Sequence, residues 1–236
     1  MSRICPISNS YILYLDCMEC EDKMCKKSNK PKYKKVVIGI DQSYKNTGIS
    51  IAVDGKLKNI SSYYLESFAN NFEKRKELRN KLRSVFVKYS EKAKKEQFEL
   101  FVIIERIRLL SQGFINIDYI KSIGALNAIL IDLAYECDIP IYSVDTRAWK
   151  AQIIGTSKPQ KNEYGIDPNK WPTIKWLIDQ GYEDKILRPV SNKKKIGIVK
   201  IIDGQKYTYD DDAADSAAIA LYGFVKNNLQ HLKEEK

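Results

Sequence analysis

The chain has 236 residues, 44% hydrophobic and 11% aromatic, enough to bury a core in one main domain with room for a small appendage. Lys and Arg number 40 against 30 Asp and Glu; the resulting +10 favours a polyanionic partner, although solvated lysines alone also produce such a charge. Global disorder is excluded, and so is a membrane span of about 20 apolar residues, because the best run, Ile117 to Ala134, is broken by Lys121, Asn127 and Asp132.

Met1 to Cys20 lacks a basic region followed by an apolar stretch, so a cytoplasmic, reducing location is expected. Cys5, Cys17, Cys20 and Cys25 precede a polar stretch from Lys26 to Lys35, which sets residues 1–31 apart from a main domain over 32–236. Cys17-Met18-Glu19-Cys20 is one chelating pair, and with Cys5 and Cys25 it supplies enough thiolates for a tetrahedral Zn²⁺ site. Four free thiols are the competing reading.

Val36 to Ile40 reads as a buried strand ending at Asp41, and Gly48 to Val53 and Leu57 to Tyr64 flank the turn Asp54-Gly55. Leu78, Leu82, Val85, Phe86, Tyr89 and Ala93 recur at helical spacing on a strongly basic segment. Leu100 to Ile104 predicts a second buried strand ending at Glu105. A helix over Asn116 to Cys137, a strand over Ile139 to Val144 and a helical segment after Asp145 follow. Trp171-Pro172 opens a helix to Gln180, with proline in an early, permitted position. A hairpin turning at Asp203-Gly204 joins Ile196 to Ile202 with Gln205 to Tyr209, and a last helix is expected from Asp212 to Leu229. The order of elements predicts an α/β fold.

Asp41 and Glu105 each end an apolar strand, and Asp212 and Asp215 are three apart on one helix face. Carboxylates gathered at one point repel one another unless cations neutralise them, and hard oxygen ligands select Mg²⁺ or Mn²⁺. A pair of such ions supports phosphodiester cleavage without a histidine or cysteine nucleophile. Taken singly, each Asp is also an ordinary turn or cap residue, and Asp210 to Asp212 also reads as a helix cap. Glu105 resists that reading, since it leaves a charge beside a core strand. His231, the one histidine, reads as a solvated tail residue.

Ile38-Gly39-Ile40-Asp41-Gln42-Ser43 with Thr47-Gly48, then Ile104-Glu105, then Asp212-Ala213-Ala214-Asp215-Ser216-Ala217, resemble in order the motifs of RuvC-type Holliday junction resolvases of the RNase H-like superfamily. The resemblance spans about Val36 to Val225 and is nearer to divergent phage-type members. It implies a mixed five-stranded sheet with flanking helices, and a Mg²⁺-dependent endonuclease cutting branched DNA as a homodimer. It also implies two ions per site held by Asp41, Glu105, Asp212 and Asp215. Ile123 to Ala128 resembles the subunit-pairing helix, and Lys150 the first DNA-contacting lysine. Lys170 resembles a second basic position, with Lys158 and Lys161 as competitors across an insertion. Arg108 stands where bacterial members carry an aromatic wedge, with Phe114 as the candidate substitute. An RNase H-like or YqgF-like RNA-processing nuclease and a catalytically silent nucleic-acid-binding protein are the alternatives. A sugar-kinase-like ATPase is opposed by length, since one motif of this kind leaves no second half.

Overall fold

The computed structural model describes residues 2–4, 11–13, 34–43, 45–65, 70–106, 117–191, 197–225 and 230–231. The chain divides into two compact units, Met1–Lys34 and Lys35–Lys236. In the first, β1 (Ser2–Ile4) and β2 (Tyr11–Leu13) pair antiparallel, with Arg3 opposite Ile12. The expected zinc ligands Cys5, Cys17, Cys20 and Cys25 lie outside the described residues.

The second unit opens with β3 (Lys35–Asp41), β4 (Asn46–Val53), β5 (Lys56–Tyr64), α1 (Asn71–Glu96), β6 (Glu99–Glu105), α2 (Ile117–Glu136) and β7 (Ile141–Val144). It continues through α3 (Thr146–Trp149), which passes into a π-helical stretch (Lys150–Ile154), then α4 (Trp171–Asp179) and a short 3₁₀ turn (Glu183–Lys185). The strands β8 (Leu187–Val190), β9 (Lys200–Ile202) and β10 (Gln205–Tyr209), the helix α5 (Asp211–Tyr222) and the two-residue β11 (Gln230–His231) complete it.

The five expected strands form one mixed sheet in the order β7-β6-β3-β4-β5, and β11 adds a short sixth strand beside β7. β3, β4 and β5 are successive antiparallel neighbours, while β6 runs parallel to both β3 and β7. The continuous apolar run of β3 follows from this position, because a central strand covered on both faces has no solvent side to mark with polar residues. His231 pairs through its backbone with Tyr142.

The two faces of the sheet are covered differently. Ile38, Ile40, Val102 and Ile104 pack against Leu78, Leu82 and Phe86 of α1 and Leu126, Leu130 and Leu133 of α2. Asn70 caps α1 by accepting from the Glu73 N–H, and Gln97 ends it in the left-handed region at φ 53. On the other face α5 presents Ala213, Ala217, Ala218 and Ala220. A Cβ at Gly39 would collide with the backbone of Ser216 and Ala220, so glycine is what lets this helix lie directly on β3.

Two expectations need correction. The segment before α5 is a three-stranded sheet in the order β8-β10-β9 rather than a lone hairpin. Pro189 hid β8 in the sequence by interrupting its strand pattern; an edge strand tolerates the lost N–H. The last helix ends at Tyr222 rather than Leu229. Its C-cap Gly223 sits where a Cβ would lie 2.6 Å from Ile103 Cδ1 and 2.7 Å from Val37 Cγ1. Among the described residues no helix is long and apolar enough to cross a membrane.

Candidate active site

Strand alternation decides where the acids go. Ile40 and Ile104 are partners in the parallel β3–β6 register and face the α1/α2 core, so Asp41 and Glu105, each one residue further on, share the opposite face. That is the face covered by α5. Asp41 also stands opposite Gly48 in the β3–β4 register, and a Cβ on Gly48 would collide with the Asp212 carbonyl oxygen. The first turn of α5 therefore rests on the strand tips, and Asp215 follows one turn later on the same helix face as Asp212.

Asp210 is the cap of this helix, and three hydrogen bonds occupy most of its carboxylate. Its Oδ1 accepts from the Ala213 N–H at 3.1 Å and from Asn46 Nδ2 at 2.9 Å, and its Oδ2 accepts from the Ser62 hydroxyl at 2.6 Å. Asn46 Nδ2 also donates to Asp212 Oδ2 at 2.9 Å, which fixes that carboxylate relative to the cap. Carboxylate oxygens of Asp210, Asp211 and Asp212 lie within 4.8 Å of one another, a spacing open to a metal ion. The hydrogen bonds on Asp210 favour its neighbours as the groups left to bind one.

The electrostatics express the crowding. Burial raises the Asp41 carboxyl well above its ordinary range, the charge of Asp215 adds to this, Lys170 opposes it, and Glu105 and Asp212 raise it further. Burial and the neighbouring Asp211 push Asp212 up to about 7, against the opposing pull of Lys170 and of the Asn46 hydrogen bond. Burial disfavours the charge on Lys170, yet Asp215, Asp41 and Asp211 outweigh it and hold the ammonium protonated. Lys170 Nζ lies 3.0 Å from Asp215 Oδ2 and 3.5 Å from Asp211 Oδ2.

A hard divalent cation fits this donor set. The donors are carboxylate oxygens: those of Asp210, Asp211 and Asp212 lie close enough to share an ion, Asp41 feels the charges of Asp215, Glu105 and Asp212, and Asp215, only 5% exposed, has a buried Oδ1 with no hydrogen-bond partner among the described residues. The Lys170 ammonium faces Asp41, Asp211 and Asp215 together, more negative charge than it balances, and the raised acids are those a cation would relieve.

Several supporting groups escape a reading of sequence alone. The Gln42 side-chain amide brackets the backbone of Glu105: its Nε2 donates to the Glu105 carbonyl at 2.6 Å and its Oε1 accepts from the Glu105 N–H at 3.2 Å. The same Nε2 donates to Asn127 Oδ1 of α2 at 3.2 Å. Trp149, wholly buried, donates its indole N–H to Glu105 Oε1 at 3.2 Å. Gln42 was visible in the first motif, but nothing in its spacing pointed to these contacts.

Of the lysines singled out in the sequence, Lys170 reaches the acids. Lys150 is 9% exposed, donates to the Asn169 carbonyl at 3.1 Å and sits 5.2 Å from the Trp149 ring centre. Lys158 and Lys161 are exposed on the loop between the π-helical stretch and α4. Arg108 and Phe114 lie outside the described residues.

The sequence matches no protein-family model and no curated protein. Among solved structures, Thermus thermophilus RuvC is similar at 17% identity and TM-score 0.51, over 84% of this chain and 99% of that one. Thermus thermophilus RuvC in complex with Holliday junction substrate is similar at 15% identity and TM-score 0.46, over 79% and 91%. Yeast mitochondrial Holliday junction resolvase Ydc2 is similar at 19% identity and TM-score 0.44, over 81% and 79%. Both the sheet order and the length of the first match lead to one statement about architecture: this chain has the RuvC-like form of the RNase H-like fold.

Proposed function

We propose that the protein is a divalent-metal-dependent endonuclease that cuts branched DNA as a Holliday junction resolvase. The observation that carries the reading is that Asp41 feels the charges of Asp215, Glu105 and Asp212 at once, with Lys170 bonded to Asp215, in a chain of net charge +10. Asp41, Glu105, Asp212 and Asp215 would hold Mg²⁺ or Mn²⁺, and two such ions supply water activation and stabilisation of the leaving oxygen in a phosphodiester displacement.

The chain's own groups prepare that chemistry. Gln42, one residue past Asp41, holds the Glu105 backbone and so keeps the tip of β6 beside the end of β3. Asn46 and the Asp210 cap fix the first turn of α5 and with it Asp212. Lys170 offsets part of the carboxylate charge and offers an ammonium to a phosphate oxygen at the rim of the cluster, with Lys150 beside it. A junction with two-fold symmetry calls for two such sites, and α2 offers an outward stripe of Gly124, Ala128, Asp132 and Tyr135 on which a second copy would pair. The cysteine-bearing residues 1–31 are proposed to bind structural Zn²⁺.

Purified protein incubated with Mg²⁺ and four-way, three-way, duplex and RNA/DNA hybrid substrates tests the proposal, beside Asp41→Asn and Glu105→Gln. Preferred cutting of four-way DNA by wild type alone supports it. Preferred cutting of hybrids transfers the site to RNA processing, and variants as active as wild type, or no cleavage at all, remove the nuclease reading. Metal analysis of the same protein beside Cys17→Ser tests zinc.

A further inference from the structure

We infer that Trp149 is a positioning residue that sets the orientation of the Glu105 carboxylate through its indole N–H; the inference rests on the reading of Glu105 as a metal ligand. Trp149 is fully buried among Val37, Ile103, Val144, Ala218, Ile219 and Tyr222. An indole enclosed in this way needs an acceptor for its N–H, and here the acceptor is Glu105 Oε1 at 3.2 Å. Glu105 is thus held twice, at its backbone by Gln42 and at its carboxylate by Trp149.

The choice of a neutral donor matters chemically. An arginine or lysine in this place would orient the carboxylate but also cancel the charge that a divalent cation needs. The indole fixes one oxygen and leaves the negative charge intact. A phenylalanine or leucine would fill the same apolar space and orient nothing.

The local backbone is arranged for this role. Asp145 caps α3 by accepting from the Arg147 N–H at 2.9 Å, and the helix then widens into the π-helical stretch at Lys150. Such widened turns are rare and concentrate at functional sites. Two successive residues, Trp149 and Lys150, are buried in the segment that bridges the normal and widened turns. The indole edge serves Glu105 while its ring lies beside the Lys150 ammonium. Lys150 in turn donates to the carbonyl of Asn169, next to Lys170, which reaches Asp215. One side chain thereby spans from the expected metal side to the expected DNA side.

The test is a Mn²⁺ titration of the full chain, followed by the spin resonance of free Mn²⁺, for wild type, Trp149→Phe, Glu105→Gln and the double variant. The expected result is about a tenfold loss of Mn²⁺ affinity in Trp149→Phe and no further loss when the change is added to Glu105→Gln. Affinity for four-way DNA without divalent ions should stay within roughly twofold of wild type, since no phosphate contact is removed. If Trp149→Phe does not fold, site-specific replacement of Trp149 by 3-benzothienylalanine keeps the bicyclic shape and removes the N–H, and the same loss is expected. Wild-type affinity in the variants, or an equal loss with and without Glu105, overturns the inference. Wild type that binds Mn²⁺ through Glu105 yet cuts nothing overturns the nuclease reading and leaves the positioning role standing; wild type with no Mn²⁺ site overturns both.

Discussion

The two faces of the central sheet are built to different tolerances. Towards α1 and α2 the spacing is filled by large side chains, Phe86, Leu78, Leu82, Leu126 and Leu130, which can repack around a small change. Towards α5 the filling is alanine and glycine, and helix backbone lies against strand backbone at Gly39 and Gly48. The acids stand on the second face. Close backbone contact leaves no slack, so the first turn of α5 has one seating on the strand tips and Asp212 has one position relative to Asp41. The thick face carries stability and the thin face carries registry.

Four changes sharpen or break this division. The largest effect is expected from Asp41→Asn on the thin face: cleavage should fall by about a thousandfold, the equivalent of losing several kcal/mol of charge stabilisation. Its melting temperature should hold or rise, because a buried, mutually repelling carboxyl is removed; single-turnover cleavage and calorimetry together check this. Next is Phe86→Ala on the thick face, with a loss of about 3–5 kcal/mol in denaturant unfolding while Mn²⁺ affinity of the folded fraction is retained. If Phe86→Ala abolished metal binding in protein still folded, the faces would not be separable.

Gly48→Ala should do the reverse. Its added methyl meets the Asp212 carbonyl, so the α5 turn must lift, at about 1–3 kcal/mol in stability and with a clear loss of Mn²⁺ affinity. An alanine there with unchanged metal binding would show that the seating has slack after all.

The smallest expected effect concerns pH. Asp41 and Asp212 hold their protons more tightly folded than unfolded, so their contribution to stability is complete below about pH 4 and is lost as pH rises, through about 7 for Asp212. Metal-free protein should melt a few degrees lower at pH 8 than at pH 5.5, and Mn²⁺ should recover most of that difference at pH 8. Asp212→Asn should flatten the dependence. A melting temperature that rose with pH in that range would contradict the crowding.

The legible parts of the molecule are those where one local rule decides. Helical spacing from Leu78 to Ala93 located α1, and an apolar run closed by an acid located both β3 and β6. Pro189 concealed β8 because strand signals assume a continuous ladder, and Gly223 caps α5 where it packs against Val37 and Ile103 of two distant strands, a contact no local pattern announces. Lys158 and Lys161 compete with Lys170 in the sequence because an insertion breaks the spacing, and Lys170 separates from them in the structure by reaching Asp215.

The sequence by itself determined the central sheet and where Asp41, Glu105, Asp212 and Asp215 sit on its elements, since alternation in strands and three-residue spacing on a helix are properties of the chain's own backbone geometry. Tertiary structure alone decided which groups serve those acids. Gln42 meets Glu105 from 63 positions away and Trp149 from 44, distances over which no periodicity in the chain carries information. Only the packing of α3 and α5 on the sheet brings the indole to the carboxylate.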